Sequence, residues 1–137
     1  MENRILGLDI GDVRIGVAIS DPMNLFAQPL KTIIHKSKWE DVEEIRNIIE
    51  EYKINKVIIG LPKNMNNTIG SQGKKVQKFA RALQHNYPIE VVFFDERLTS
   101  VSAERALIEG NMRRNDRKNV IDQIAASLIL QMYLDRK

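Results

Sequence analysis

Two short apolar runs joined by an amphipathic segment place the strongest constraint on how this chain of 137 residues can fold. Lys56–Gly60 and Ile89–Phe94 are continuously apolar in the middle, which is typical of strands covered on both faces in a parallel sheet. Between them, apolar residues recur at three- and four-residue steps and predict a helix: Val76, Phe79, Ala80 and Leu83. The unit is therefore expected to be a β-α-β crossover that joins two parallel strands.

Three β-rich segments precede this unit, and turn-forming residues separate them. The segments are Arg4–Ile10, Arg14–Ser20 and Gln28–Ile34, with turns at Gly11-Asp12 and at Asp21–Asn24. This pattern predicts an antiparallel three-strand meander.

Three further helices are expected from capping signals and apolar periodicity. A capping box at Ser37–Glu40 opens a helix over Lys38–Tyr52. Thr99 or Ser100 can cap a shorter helix that ends near Glu109. The last helix is predicted over Val120–Asp135, with its buried face listed as Ile121, Ile124, Ala125, Leu128 and Met132.

The resulting order, β-β-β-α-β-α-β-α-α, predicts an α/β fold with a five-stranded mixed sheet and helices on both faces. The length fits one domain over residues 1–137, and a hydrophobic share of 43% can supply its core. Because the chain has no cysteine, disulfide scaffolds, zinc fingers and thiol nucleophiles are excluded. With neither a signal peptide nor a membrane span in the sequence, we expect a cytoplasmic protein that does not bind membranes.

Acidic residues follow the apolar elements at points where an unpartnered carboxylate would be costly. Asp9 ends the first strand, Asp95 and Glu96 follow the last strand, and Asp122 is expected in the first turn of the final helix. If the first and fifth strands are near neighbours, these acids meet at one edge of the sheet. A pair of Mg²⁺ or Mn²⁺ ions would offset their mutual repulsion and suits phosphodiester hydrolysis.

Each acid also has a structural interpretation. Asp9 can cap the Gly11 turn, Asp95 or Glu96 can pair with Arg97, and the helix dipole favours Asp122. Capping alone does not readily account for all four. Asp9-Ile10-Gly11 is similar to the phosphate loop of two-lobed actin-like ATPases, but this chain has room for one lobe. A turn glycine at position 11 and solvated histidines at His35 and His85 are the simpler interpretations.

Basic residues surround the predicted acids and give the chain a net charge of +3. Four lie in the expected loop before the last helix, where a solvated loop is the alternative, and others extend the same footprint from the strand ends. Because aromatic content is only 6%, contact with the phosphate backbone is favoured over base stacking. The candidate nucleic-acid-binding residues are Arg14, Lys63, Asn64, Arg97, Arg113, Arg114, Arg117 and Lys118.

Four ordered motifs resemble the YqgF/RuvX family across almost the whole chain. They are LGLDIGDVRIGVAISD, GLPKNMNNTIGSQGKKVQKFARAL, FDERLTSVSAERAL and KNVIDQIAASLILQMYL. The family comprises bacterial proteins of RNase H-like fold that have been described as Holliday junction resolvases and as pre-16S rRNA nucleases. The resemblance implies that Asp9, Glu96 and Asp122 are catalytic and bind Mg²⁺ or Mn²⁺, with Asp95 as an additional candidate.

Some positions depart from related patterns. Ile58–Gly60 carries no acid where the RuvC resolvases have one, and Ala125 stands where they place a second helical acid. In the central loop, Asn66, Asn67, Ile69 and Ser71 replace two acids, a glycine and a proline of the usual family form.

The resemblance implies a metal-dependent endonuclease that acts on structured RNA, at the 5′ end of pre-16S rRNA or on the pre-ribosomal particle. A Holliday junction resolvase acting on branched DNA is one alternative. A non-catalytic nucleic-acid-binding or transcription-associated factor is the other, and an ATPase half-site is a more distant one. The chain would act as a monomer or homodimer.

Overall fold

The computed structural model describes residues 3–96 and 114–136. For residues 114–120 it describes only the helical backbone. The described residues form five strands and three helices. In chain order they are β1 (Arg4–Ile10), β2 (Arg14–Ser20), β3 (Ala27–Ile34), α1 (Lys38–Tyr52), β4 (Ile54–Leu61), α2 (Ser71–Leu83), β5 (Glu90–Asp95) and α3 (Arg114–Leu134).

The strands form one mixed sheet in the order β3-β2-β1-β4-β5. β1, β2 and β3 pair antiparallel, whereas β4 runs parallel to both β1 and β5. One face packs against α1 and α2, and the other face packs against α3. The predicted meander, the β-α-β crossover and the helices on both faces are confirmed.

Helix α1 begins and ends at the predicted residues. Two hydrogen bonds between Ser37 and Glu40 cap its first turn. The Ser37 hydroxyl accepts a hydrogen bond from the Glu40 N–H at 3.2 Å and donates one to the Glu40 carboxylate at 3.0 Å. These contacts satisfy a backbone donor that the helix itself leaves unpaired.

The prediction for the last helix was wrong in three respects. The helix already includes Arg114, six residues before the predicted start. These first turns were not predicted because their charged residues have no apolar periodicity. Asp122 consequently lies in the helix interior instead of the first turn. Met132 is 37% exposed, and Ile124 and Leu128 are only partly buried. Ile121 and Ala125 are buried as predicted, and the rest of the buried face consists of Ala126, Ile129, Leu130 and Leu134.

Strand β5 also differs from its prediction. It lies at the edge of the sheet, and Phe94 is the one buried residue among its six, so residues 3–96 and 114–136 do not cover it on both faces. The first and fifth strands are not adjacent, because β4 lies between them. The helix predicted from Thr99 or Ser100 to Glu109 falls outside the described residues. Among the residues described, the model has no helix of the length and apolar character that a membrane crossing requires.

Candidate active site

Asp9 lies at the carboxyl end of the central strand β1, with a glycine beside it on each neighbouring strand. Gly16 of β2 is its antiparallel partner. On β4, Ile59 lies opposite Leu8, so Gly60 is the next residue along at the level of Asp9. Asp9 is only 9% exposed. Because both neighbours are glycines, neither strand places a side chain beside this largely buried carboxylate.

The space at Gly16 is filled by the backbone of α3 at Asp122. A Cβ atom added at Gly16 would lie 1.9 Å from the Asp122 carbonyl oxygen and 3.0 Å from the Asp122 Cβ atom. One turn further along, a Cβ atom at Gly7 would lie 3.0 Å from the Ala126 carbonyl oxygen. The small residues Ala125 and Ala126 are buried at this contact and allow α3 to approach the sheet closely, which brings Asp122 next to the Asp9 strand.

The space at Gly60 is filled by the side chain of Glu96. A Cβ atom at Gly60 would lie 2.6 Å from Glu96 Oε1, so this carboxylate reaches across β4 toward β1. The sequence predicted that these acids meet if the first and fifth strands are near neighbours, and one strand, β4, separates the two. A glycine on the intervening strand lets the acid of the edge strand reach inward.

Asp95 is directed away from Glu96. Its Oδ2 atom lies 4.0 Å from Nζ of Lys63, and its side chain is 14% exposed. Asp95 is the last residue of β5 and Glu96 is the residue after it, and their contacts with Lys63 and with the Gly60 position separate these two adjacent acids. The placement therefore favours Glu96 over Asp95 as a partner of Asp9.

A cleft of about 390 Å³ opens between these elements. Its lining residues are Asp9, Ile10, Gly11, Asp12, Pro62, Gln72, Glu96 and Asp122. Gln72 donates a hydrogen bond from its Nε2 atom to the Ile10 carbonyl at 3.0 Å and so ties the start of α2 to the end of β1. Gln72, Gly16 and Gly60 were not predicted as site residues from the sequence, and only the spacing of glycines opposite Asp9 could have indicated the last two.

Oxygen donors dominate the cleft, which is the ligand chemistry that Mg²⁺ and Mn²⁺ prefer. Asp9, Glu96 and Asp122 supply carboxylates from three different elements. Within the part of the chain that the structure describes, no three acidic, histidine or cysteine side chains cluster tightly enough to form a ready-made metal site. The donor type fits a divalent cation, and the carboxylates would converge on it upon binding.

Gly11 forms the turn that borders this cleft. Its N–H donates to the Arg14 carbonyl at 2.9 Å, and a Cβ atom at position 11 would lie 2.9 Å from that same oxygen. Close backbone approach therefore accounts for the glycine, in agreement with the simpler interpretation.

The predicted basic residues occupy different positions. Arg14 begins β2 on the same face as Gly16, and its buried Nε atom has no hydrogen-bond acceptor among the described residues. Lys63 and Asn64 line a smaller pocket that shares Pro62 and Gln72 with the acidic cleft. Arg114, Arg117 and Lys118 lie on α3 instead of in a loop, whereas Arg97 and Arg113 lie outside the described residues.

A model of the RuvX family, described as a Holliday junction resolvase, matches residues 3–136. The chain belongs to the RuvX family. A relative from Clostridioides difficile (strain 630) is 53% identical over 137 residues, which cover 100% of this chain and 97% of that protein. One from Caldanaerobacter subterraneus subsp. tengcongensis is 56% identical and covers 96% of each. Both relatives of this RuvX chain carry the name "Putative pre-16S rRNA nuclease".

Solved structures share the RuvX fold at low sequence identity. Thermus thermophilus RuvC in complex with a Holliday junction substrate aligns with a TM-score of 0.61 at 10% identity and covers 98% of both chains. Fowlpox virus resolvase in complex with Holliday junction DNA aligns with a TM-score of 0.53 at 12% identity, over 96% of this chain and 97% of that one. The predicted RNase H-like fold is confirmed.

Proposed function

We propose that this RuvX-family chain is a divalent-metal-dependent endonuclease that hydrolyses phosphodiester bonds of structured RNA. The observation that carries the proposal is the convergence of Asp9, Glu96 and Asp122 on one cleft through two glycine gaps. Carboxylates from β1, from the residue after β5 and from α3 line the same cleft, and a divalent cation bound there would offset their mutual repulsion. The interior position of Asp122 adds support, because the dipole at a helix start does not account for it.

In this proposal Asp9, Glu96 and Asp122 hold Mg²⁺ or Mn²⁺. The bound cation supplies positive charge that stabilises the phosphate oxygens during displacement. Asp9 is central because it lies between the other two acids, and its burial limits competition from water. Arg14, Lys63 and the basic residues of α3 hold the flanking backbone phosphates, so that a polyanion can approach a carboxylate cleft.

We propose the 5′ end of pre-16S rRNA, free or in a pre-ribosomal particle, as the substrate. This assignment is supported by the names of relatives that match this chain over nearly their full length. We further propose that the protein is cytoplasmic, forms one RNase H-like domain over residues 1–137, and acts as a monomer or homodimer.

The test compares wild type with Asp9→Asn on an RNA that spans the 16S 5′ end, with Mg²⁺, with Mn²⁺ and with chelator. We expect cleavage that requires a divalent cation and is lost in the variant, because one carboxylate ligand is replaced by a neutral amide of equal size. Equal cleavage by wild type and Asp9→Asn would show that the active site has been assigned wrongly.

Resolution of Holliday junctions is the second candidate, and the description of the matching family model favours it. A four-way DNA junction in the same assay separates the two. Symmetric nicking of the junction, without cleavage of the RNA, would favour a resolvase. Nucleic-acid binding that persists with chelator, and no cleavage of either substrate, would favour the non-catalytic factor.

A further inference from the structure

A second pocket, of about 260 Å³, lies on the opposite face of the sheet from the acidic cleft, between the β1–β2 turn, α1 and α2. Its lining residues are Ile10, Gly11, Asp12, Ile15, His35, Lys38, Asp41, Lys75, Lys78 and Phe79. Its volume approaches the roughly 300 Å³ at which small-molecule pockets begin. The pocket therefore has room for one compact ligand group.

The walls of this pocket combine apolar and cationic groups. Ile15 and Phe79 are buried core residues that form its floor, and lysines from α1 and α2 stand at its rim. Three lysines, Lys38, Lys75 and Lys78, outnumber the two acids Asp12 and Asp41. A ligand that suits such walls has a flat apolar part and an anionic part.

Neither acid prevents an anion from binding at the rim. Lys75 contacts Asp12 at 2.9 Å, but both side chains are more than 60% exposed, and ion pairs of this kind contribute little. Lys75 can exchange this partner for a phosphate at small cost.

Asp41 is instead used to orient His35. Asp41 is 2% exposed, and its Oδ2 atom lies 2.5 Å from Nδ1 of His35. Its Oδ1 atom accepts the Lys36 N–H at 3.2 Å. Because Nδ1 is occupied by Asp41, Nε2 is the ring nitrogen left for a ligand. His35 is exposed, as its sequence context suggested, but the buried aspartate that fixes its ring was not expected from the sequence.

The pocket and the acidic cleft lie on the two sides of one turn. Ile10, Gly11 and Asp12 line both of them. A strand that lies across this turn can present one phosphate to the acids and a neighbouring nucleotide to the lysine-rimmed pocket.

We propose that this pocket binds a nucleotide of the substrate strand next to the scissile phosphate. The base packs on Ile10, Ile15 and Phe79, while Lys38, Lys78 and His35 contact the phosphate. The assignment to the substrate strand rests on the proposed nuclease function, whereas nucleotide binding by the pocket does not.

The first test uses 5′-AMP, with adenosine and inorganic phosphate as comparison ligands, and follows the isoleucine methyl resonances of the intact protein by NMR. We expect 5′-AMP to shift Ile10 and Ile15, and each comparison ligand to shift them less. The shifts should be lost in Lys38→Ala/Lys78→Ala and kept in the charge-matched control Lys31→Ala/Arg81→Ala, whose positions do not line the pocket. Lys75 is left unchanged so that its contact with Asp12 persists. Absence of shifts in wild type would overturn the proposal.

The second test measures binding of the 16S 5′-end RNA by fluorescence anisotropy across a salt series, in an Asp9→Asn background that prevents cleavage. Loss of the lysine contacts with this one phosphate should weaken binding and lower the slope of log K against log salt by about 0.7. If the pocket variant binds RNA like the charge-matched control while 5′-AMP still shifts the methyl groups of wild type, the ligand is a free mononucleotide, and the assignment to the strand is wrong.

The two proposals fail separately. Wild-type cleavage that depends on Asp9, together with no 5′-AMP shift, would retain the nuclease and reject the pocket. A 5′-AMP shift without any cleavage would retain nucleotide binding and reject the nuclease.

Discussion

A substitution at Gly60, the glycine beside Glu96, should lower the cleavage rate strongly and the stability of the fold only slightly. A methyl group at Gly60 would lie 2.6 Å from Glu96 Oε1 and 2.6 Å from Ile129 Cδ1, both of which are ends of flexible side chains. We expect Gly60→Ala to cost about 1 kcal/mol in the free energy of unfolding. Because Glu96 must move, cleavage should fall on the order of 10²-fold. Unfolding curves and RNA cleavage rates measured on the same preparation provide the check.

We expect Gly16→Ala to lower the free energy of unfolding more than Gly60→Ala does. There the methyl group would lie 1.9 Å from the backbone carbonyl of Asp122, and a helix backbone cannot rotate away as a side chain can. We expect a loss of about 3 kcal/mol or more, the upper part of the range for overpacking. Chemical denaturation measures this, and a Gly16→Ala protein as stable as Gly60→Ala would contradict the close docking of α3.

Asp21 should make the stability of the β2–β3 loop depend on pH. Hydrogen bonds from the backbone N–H of Phe26, and also of Leu25 and Met23, hold the pKa of Asp21 below its ordinary value of 3.8. A lowered folded-state pKa stabilises the protein above the unfolded pKa, and this contribution is lost as the pH falls through the folded value. In Asp21→Asn, we expect the deficit in Tm relative to wild type to be larger near pH 7 than near pH 2. A deficit that does not change with pH would show that the charge is not involved.

At the level of single side chains, the sequence could predict the acids but not their partners. Asp9, Glu96 and Asp122 are visible because each follows or interrupts an apolar element. The choice between Asp95 and Glu96 depends on which face of β5 each occupies, and this follows from strand register, which residue spacing does not encode. Asp41 was missed because a first-turn acid is ordinary in a helix, whereas its burial against His35 is a tertiary contact.

For the helices and strands, the capping box of α1 provides a quantitative test. Removing the Ser37 hydroxyl in Ser37→Ala leaves the Glu40 N–H without its acceptor and should cost about 0.5–2 kcal/mol. Ser71→Ala is the matched control, because Ser71 begins α2 at an exposed position and its N-cap neighbour Gly70 makes no side-chain cap. If urea denaturation gives the same loss in the free energy of unfolding for both variants, the Ser37 hydroxyl does not stabilise α1 as a cap.

The bounds of a helix were predictable where a start signal precedes its apolar stripe. α1 has both and matches residue for residue. In α3, the charged residues before Val120 have no apolar periodicity, so its first turns were not predicted. Its middle is apolar on several sides, so only Ile121 and Ala125 of its buried face were predicted correctly. The apolar run of β5 predicts burial on both faces, but a run of this composition also suits an edge strand when one residue, Phe94, anchors it.

For the chain considered as one unit, cation binding should appear as a gain in stability. A cation that binds the folded state alone contributes about 2.7 kcal/mol when its concentration is roughly 100 times its Kd. We expect Mg²⁺ or Mn²⁺ to raise the Tm of wild type but not of Asp9→Asn. Asp135→Asn, an exposed change at the far end of α3, should keep the shift and serves as the control. An identical shift in all three proteins would place the bound cation elsewhere.

The arrangement of the sheet was largely predictable because each type of connection allows few relative directions of the strands that it joins. Short turns link the first three segments, which makes them antiparallel neighbours, and a helix between two apolar runs makes them parallel. The position of β4 between β1 and β5 could not be derived from element order alone. Strand order determines which residues face one another across a sheet, so the role of Gly60 was not evident from the sequence.

The opposite directions of Asp95 and Glu96 also limit how this chain can change length. Between α2 and β5, residues can be gained or lost in the connecting turn without altering which acid faces α3. A single deletion within Val91–Phe93 would turn over the residues that follow it, so that Asp95 would face the cleft side while Glu96 and the buried anchor Phe94 would face away from it. Natural variation in length should therefore be tolerated before β5 and be absent within it.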